Sequence, residues 1–187
     1  MQKGIETTPD DPWPYYYLGL YEATVAQNFG AAIDHFGRAI NLRLDDAKIR
    51  YHRGWCHEML DQHDLAREDY EEALRKLAHL SAPFSLPYQG MARLLNGVDN
   101  AEALRYAELA VKEEPGLATN HLVLAKLYEG LEKFTEATDQ LQAAAQADPT
   151  LASPHYQLYR LLSRQGKASA ASHELAEFQK LKTLYGS

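Results

Sequence analysis

Small and large apolar residues recur along this 187-residue chain in a fixed order. Ala32, Phe36 and Ala39 are followed 34 residues later by Ala66, Tyr70 and Ala73, and 37 later again by Ala103, Ala107 and Ala110. Ala137, Leu141 and Ala144 come another 34 on, and Ala171, Leu175 and Phe178 a further 34 after that. Steps of four and then three residues put a small, a large and a second small position on one face of a helix. A face with alanine on either side of a large residue is built for close approach by a neighbour.

Upstream of each copy lies a second helical segment, as in Ala118 to Gly130, where Leu122, Ala125 and Tyr128 form a stripe. Each period therefore predicts two helices. Turn residues separate them at Gln27-Asn28-Phe29-Gly30, Asp61-Gln62-His63-Asp64, Asn96-Gly97-Val98-Asp99, Gly130-Leu131-Glu132-Lys133 and Arg164-Gln165-Gly166-Lys167. Proline stands between periods, with Pro115 and Pro149 again 34 apart, where it ends one helix and starts the next. Alternating strand patterns are absent, and Tyr15-Tyr16-Tyr17 follows Pro14 inside the first helical segment.

These residues resemble the tetratricopeptide repeat family, whose unit is a 34-residue helix-turn-helix. Leu18-Gly19, Ala32, Phe36 and Ala39 carry the likeness in the first copy, and Gly54, Ala66, Tyr70 and Ala73 in the second. Gly90, Ala103, Ala110 and Pro115 carry it in the third, and Ala125, Tyr128, Ala137, Leu141, Ala144 and Pro149 in the fourth. Leu158, Ala171 and Leu175 make a weaker fifth, with Tyr159 and Phe178 where small residues are usual. The resemblance implies an all-α, right-handed α-solenoid of about five repeats. Repeats then span 12–45, 46–80, 88–117, 118–151 and 152–187, with an irregular linker at 81–87 and residues 1–11 as the tail of a preceding repeat.

Two irregularities matter. Gly19 to Ala32 and Gly90 to Ala103 are 13 residues apart whereas Gly54 to Ala66 is 12, which places one extra residue in the first and third turns. The linker, Ser81-Ala82-Pro83-Phe84-Ser85-Leu86-Pro87, delays the third repeat's first helix to about Leu86 and is the expected bend or subdomain boundary.

Composition narrows the functional classes. A hydrophobic content of 45% supports a real core, and no apolar run reaches the ~20 residues that span a bilayer, so no membrane insertion is expected. Lys plus Arg number 19 against 26 Asp plus Glu, a net charge of −7 that argues against nucleic acid as partner. The balance is uneven: residues 1–149 hold 24 acids and 14 bases, residues 150–187 hold 2 acids and 5 bases. The lone Cys56 rules out a disulfide framework and fits a reducing, cytoplasmic location.

No catalytic constellation emerges. His57-Glu58-Met59-Leu60-Asp61 and His173-Glu174-Leu175-Ala176-Glu177 begin like a zinc-protease helix, but neither has the second histidine. His52 and Cys56 are one turn apart, and Cys56 reads better as a packed thiol in a column of small residues. Glu68, Asp69, Glu71 and Glu72 read as a solvated face. Phosphate-binding and nucleophile-elbow motifs are missing. The expectation is a protein that is not an enzyme, with no cofactor and no metal.

A surface remains. In the family the first helices line a concave groove that holds peptide or helical segments of partners, and the resemblance places Tyr16, Tyr17, Tyr51, His52, Trp55, Tyr88, Gln89, Lys126, Tyr156 and Arg160 there. Aromatic rings followed by Lys and Arg suit a peptide ligand. The clamp of chaperone-tail binders is missing, since Tyr16 and Leu20, His52, then Ser85 and Gln89 fill its columns, and an asparagine ladder is missing too. A last helix carrying Leu175, Phe178, Leu181 and Leu184 leaves an apolar stripe, an oligomer-interface candidate. The expected function is a protein-interaction scaffold with a protein or peptide partner. The alternatives are self-assembly through open terminal repeats, or a regulatory repeat region of a larger protein.

Overall fold

A computed structural model describes residues 9–185. Among these, ten α-helices and no strands occur. They are α1 Pro12–Tyr21, α2 Phe29–Asn41, α3 Ala47–Met59, α4 His63–Lys76, α5 Leu86–Leu95, α6 Asn100–Glu113, α7 Ala118–Gly130, α8 Phe134–Ala147, α9 Ser153–Arg164 and α10 Ala168–Tyr185. Odd-numbered helices open each predicted pair. The chain divides into two compact units, Met1–Leu94 and Leu95–Ser187, so the division falls inside the third pair. The expected tail of a preceding repeat lies largely outside the described residues.

Local sequence explains the helix limits. Asp11, Asn28, Asp46 and Asp99 each accept a first-turn backbone N–H, Asp46 from both Lys48 (2.9 Å) and Ile49 (3.0 Å). Pro12, Pro14 and Pro154 sit where a helix has no N–H to lose. Every turn within a pair uses one left-handed residue: Gln27, Asp61, Gly97, Glu132 and Gly166. Three of these turns close alike, with the N–H of Gln62, Lys133 and Lys167 donating to the carbonyls of His57, Tyr128 and Leu162 at 2.9–3.0 Å. The extra residue of the third turn enters the loop as expected. That of the first does not: Glu22–Ala26 widens into a π-helical turn, and the Asn28 N–H reaches back to the Glu22 carbonyl at 2.8 Å.

In the first unit the core joins Tyr15, Ala32, Phe36, Ala39, Ile49 and Cys56. The alanine columns at 32, 39, 66 and 73 are fully buried, and so are Phe36 and Tyr70 between them. Gly19 approaches the Phe36 ring so closely that a Cβ there would sit 2.6 Å from its edge. Tyr70 lies between two glycines, since a Cβ would come within 2.9 Å at Gly54 and 2.6 Å at Gly90. Helices can approach this closely only where the side chain is absent. In the second unit Ala125, Ala137, Leu141, Leu158, Leu161, Leu162 and Ala171 form the core. The buried Asn120 amide donates to the Ala110 (2.9 Å) and Glu114 (2.8 Å) carbonyls, fastening the start of α7 to the end of α6.

A polar clasp repeats within the pairs. Arg50 donates to Asp69 (3.2 Å), His121 meets Gln140 (2.8 Å) and His155 meets Glu174 (2.8 Å), each 19 residues apart. In the second pair the clasp expands. Asp69 is buried and accepts from Arg53 at 2.6 and 2.7 Å, while Arg50 bridges it to Asp45. The reading of Asp69 as part of a solvated face is therefore corrected: its helical phase turns it inward toward two arginines. Glu58 likewise accepts two bonds from Arg93 (2.8 and 2.9 Å) and the Tyr70 hydroxyl at 2.5 Å, linking α3, α4 and α5. Burial pushes the Glu58 carboxyl up, but the Arg93 bonds and charge outweigh it and hold it below the usual range.

Candidate functional site

The residues expected in a groove sit on α1, α3 and α5 in the first unit and on α7 and α9 in the second. In the first unit their rings form an unbroken chain. Trp13 stacks on Tyr17 at 6.1 Å, Tyr17 meets Tyr16 edge-on at 5.4 Å, and Tyr16 reaches His52 at 6.1 Å. His52 lies flat on Phe36 at 6.0 Å and touches Tyr51 at 5.3 Å. Burial depresses His52 to about 4, with Asp46 opposing and Lys48 assisting, so the imidazole is neutral at pH 7.

Exposure separates these residues. Tyr17 is 51% exposed; Tyr16, His52, Trp55 and Tyr88 are half-buried. Tyr51 and Gln89 are buried, which corrects their placement on an open groove surface. For Tyr51 the reason is the irregular segment before α5: Phe84 stands edge-on to its ring at 5.6 Å while Tyr70 stacks on the other side at 5.8 Å. Trp55 leans edge-on against Phe29 at 5.7 Å and so serves the core as well as the surface. Two further exposed aromatics were missed by sequence reading: Trp13 and Tyr21, 48% and 47% exposed. Their signal was available, because Trp13, Tyr17 and Tyr21 follow one another at four-residue steps on one helix face.

In the second unit Lys126 and Arg160 are exposed and share a cavity of about 430 Å³ with Asn96, Glu129, Gln157 and Arg164. Arg164 donates to Glu129 at 3.0 Å and stands 5.2 Å from the Phe134 ring centre. Tyr156 is exposed but leans on Phe178 at 5.1 Å and Tyr159 at 6.1 Å. That contact folds α10 back on α9. Leu175 and Phe178 become half-buried and Leu181 buried, leaving Leu184 exposed at 63% beside Tyr185. The expected continuous apolar stripe is thus corrected to its end alone.

Cys56 is buried, and burial pushes its thiol up to about 12. Among the described residues no three of His, Cys, Asp and Glu group as a metal site, and no helix is long and apolar enough to cross a membrane.

Comparison with known proteins gives one matching repeat profile and a shared fold. The tetratricopeptide repeat profile matches residues 47–75, which are α3 and nearly all of α4. No curated protein matches the chain by sequence. Solved structures match by fold: MamA (residues 41 to end) from Desulfovibrio magneticus RS-1 has a TM-score of 0.73 at 16% identity, covering 94% of this chain and 97% of that one. PilF of Pseudomonas aeruginosa has a TM-score of 0.77 at 17% identity, covering 100% of this chain and 82% of that one. YrrB, described as a tetratricopeptide repeat protein with an unusual peptide-binding site, has 0.63 at 18%, covering 98% and 93%. Residues 47–75 thus carry a tetratricopeptide repeat, and the chain as a whole shares the all-α solenoid fold of these structures.

Proposed function

We propose that the chain is a non-catalytic scaffold whose opening helices hold a peptide or helix of a partner protein. The observation that carries this reading is the exposed aromatic face of α1. The large closing-helix residues Phe36 and Tyr70 are wholly consumed by packing, whereas α1 presents the stacked, half-exposed pair Trp13 and Tyr17. Exposed, mutually stacked aromatics are pre-ordered and offer large contact area at low entropic cost. Lys126 and Arg160 add charge on the corresponding helices of the second unit. YrrB's description as a peptide-binding repeat protein agrees with this use of the fold.

The test is affinity capture of a partner by the wild-type chain and by two variants of equal stability. Tyr17→Ala, on an opening helix, should abolish most capture; Asp34→Lys, exposed on closing helix α2, should leave it unchanged. Equal capture by both variants would contradict the assignment. A second reading, self-assembly, is favoured by Leu184 and Tyr185, exposed at 63% and 57% at the end of α10. Light scattering decides it: growth in mass with concentration that Leu184→Ser removes supports assembly, and a constant monomer mass refutes it.

A further inference from the structure

We propose that the cavity lined by α7 and α9 in the second unit is a receptor for a carboxylate-rich peptide segment, so that the partner presents an acidic stretch there. This rests on the scaffold reading and adds the partner's chemistry to it. Lys126 and Arg160 occupy equivalent positions 34 residues apart, both exposed, and neither makes an ion pair or hydrogen bond among the described residues. The third cation, Arg164, differs. Glu129 fixes its guanidinium at 3.0 Å and the Phe134 ring supports it at 5.2 Å. Glu129 is the single carboxylate lining the cavity, and it is already engaged. Two cations of the three therefore lack a counter-charge.

Some cations elsewhere in this unit are paired. Arg105 pairs with Glu102 and Lys180 with Glu177 along the same helix. What sets Lys126 and Arg160 apart is that they line one cavity together, where a single ligand can reach both. Arg160 is able to grip a carboxylate with two parallel bonds, and Lys126 adds a point charge one repeat away. Asn96 and Gln157 at the same cavity supply amide groups suited to peptide backbone. A volume of about 430 Å³ lies within the range of built ligand sites.

The anion is better read as a short run of carboxylates than as a phosphate backbone. Residues 95–187 carry 12 acids and 9 bases, so a long polyanion would meet net repulsion beyond the cavity. Two or three side-chain carboxylates would be satisfied inside it.

The test is fluorescence anisotropy with three labelled probes: a short oligoglutamate peptide, its oligoglutamine counterpart and a single-stranded oligonucleotide. Each is titrated with the wild-type chain, with Lys126→Glu/Arg160→Glu, and with Lys180→Glu/Lys182→Glu, which makes the same charge change on exposed residues of α10. The glutamate peptide should bind wild type at least about tenfold more tightly than the glutamine peptide, with affinity falling as salt rises. Reversal at the cavity should cost at least about tenfold, and reversal on α10 less than about threefold. The proposal is overturned if the glutamate peptide fails to bind wild type, if both peptides bind equally, if the α10 variant loses as much, or if the oligonucleotide binds more tightly. These outcomes leave the Tyr17 capture result untouched, so failure here is distinguishable from failure of the scaffold reading.

Discussion

Gly90→Ala offers the sharpest test of how the helix pairs pack, because the added group is a single methyl. A Cβ at Gly90 would lie 2.6 Å from Tyr70 Cε2 and Cζ and 2.8 Å from Cδ2. The ring has nowhere to retreat: Gly54 closes the opposite edge, Tyr51 stacks at 5.8 Å, and the hydroxyl is held by Glu58 at 2.5 Å. Overpacking at such a site costs about 1–3 kcal/mol, and the upper end applies to a ring pinned on three sides. Alanine returns about 1 kcal/mol through better helix propensity, leaving a net loss of about 2 kcal/mol. Gly37→Ala is the internal control. It lies within α2, with Arg53 Nη1 at 4.0 Å as its nearest neighbour, so only the propensity gain applies and the chain should be stabilised by about 0.5–1 kcal/mol. The two alanines should therefore shift thermal unfolding, followed by circular dichroism, in opposite directions and differ by roughly 5–10 °C at about 2–4 °C per kcal/mol. Adding Tyr70→Leu to Gly90→Ala should recover part of the loss relative to the sum of the single changes. Stabilisation by both alanines would refute the close approach of α5 to Tyr70.

Three further outcomes follow from the same contacts. Asp69→Ala removes the carboxylate shared by Arg50 and Arg53 and should cost about 2–4 kcal/mol, measured by denaturant unfolding; a loss below ~1 kcal/mol would show the arginines re-solvate freely. Below pH 6.5 the unfolded chain protonates His52 while the folded chain, with its value near 4, does not, so stability should fall by about 2–3 kcal/mol between pH 6.5 and 4. His52→Phe, which keeps the ring on Phe36, should flatten that part of the pH profile, and an unchanged slope would reject the buried neutral imidazole. Ala137→Leu should overpack the fully buried α8 column and cost about 1–3 kcal/mol, whereas Glu132→Gly relieves a left-handed backbone (φ 58°) and should be neutral or stabilising; equal melting temperatures would contradict the repeat register.

The fold was legible because repetition multiplies weak local signals. One Ala-x3-Phe would mean little, but Ala32, Ala66, Ala103, Ala137 and Ala171 in phase specify a column, and each of them is buried. What escaped was set by partners outside the local pattern. Asp69 lies among surface acids in sequence, and only the packing of α3 on α4 places Arg50 and Arg53 beside it. Tyr51 occupies a column open to solvent in principle, but Phe84 from the irregular segment covers it. The π-turn at Glu22–Ala26 shows a similar ambiguity: spacing counts an inserted residue without saying whether helix or loop absorbs it. On the candidate surface, which only the family resemblance proposed, Tyr17, Lys126 and Arg160 are exposed, while Trp55 divides its surface between the core and solvent.

The central claim is that exposed side chains of the opening helices receive the partner. Hydrogen–deuterium exchange of the full chain, alone and with its captured partner, tests it most directly. Protection on binding should concentrate in α1, α3, α7 and α9, with little change in α2, α4, α8 and α10. Protection confined to the second set would contradict the account.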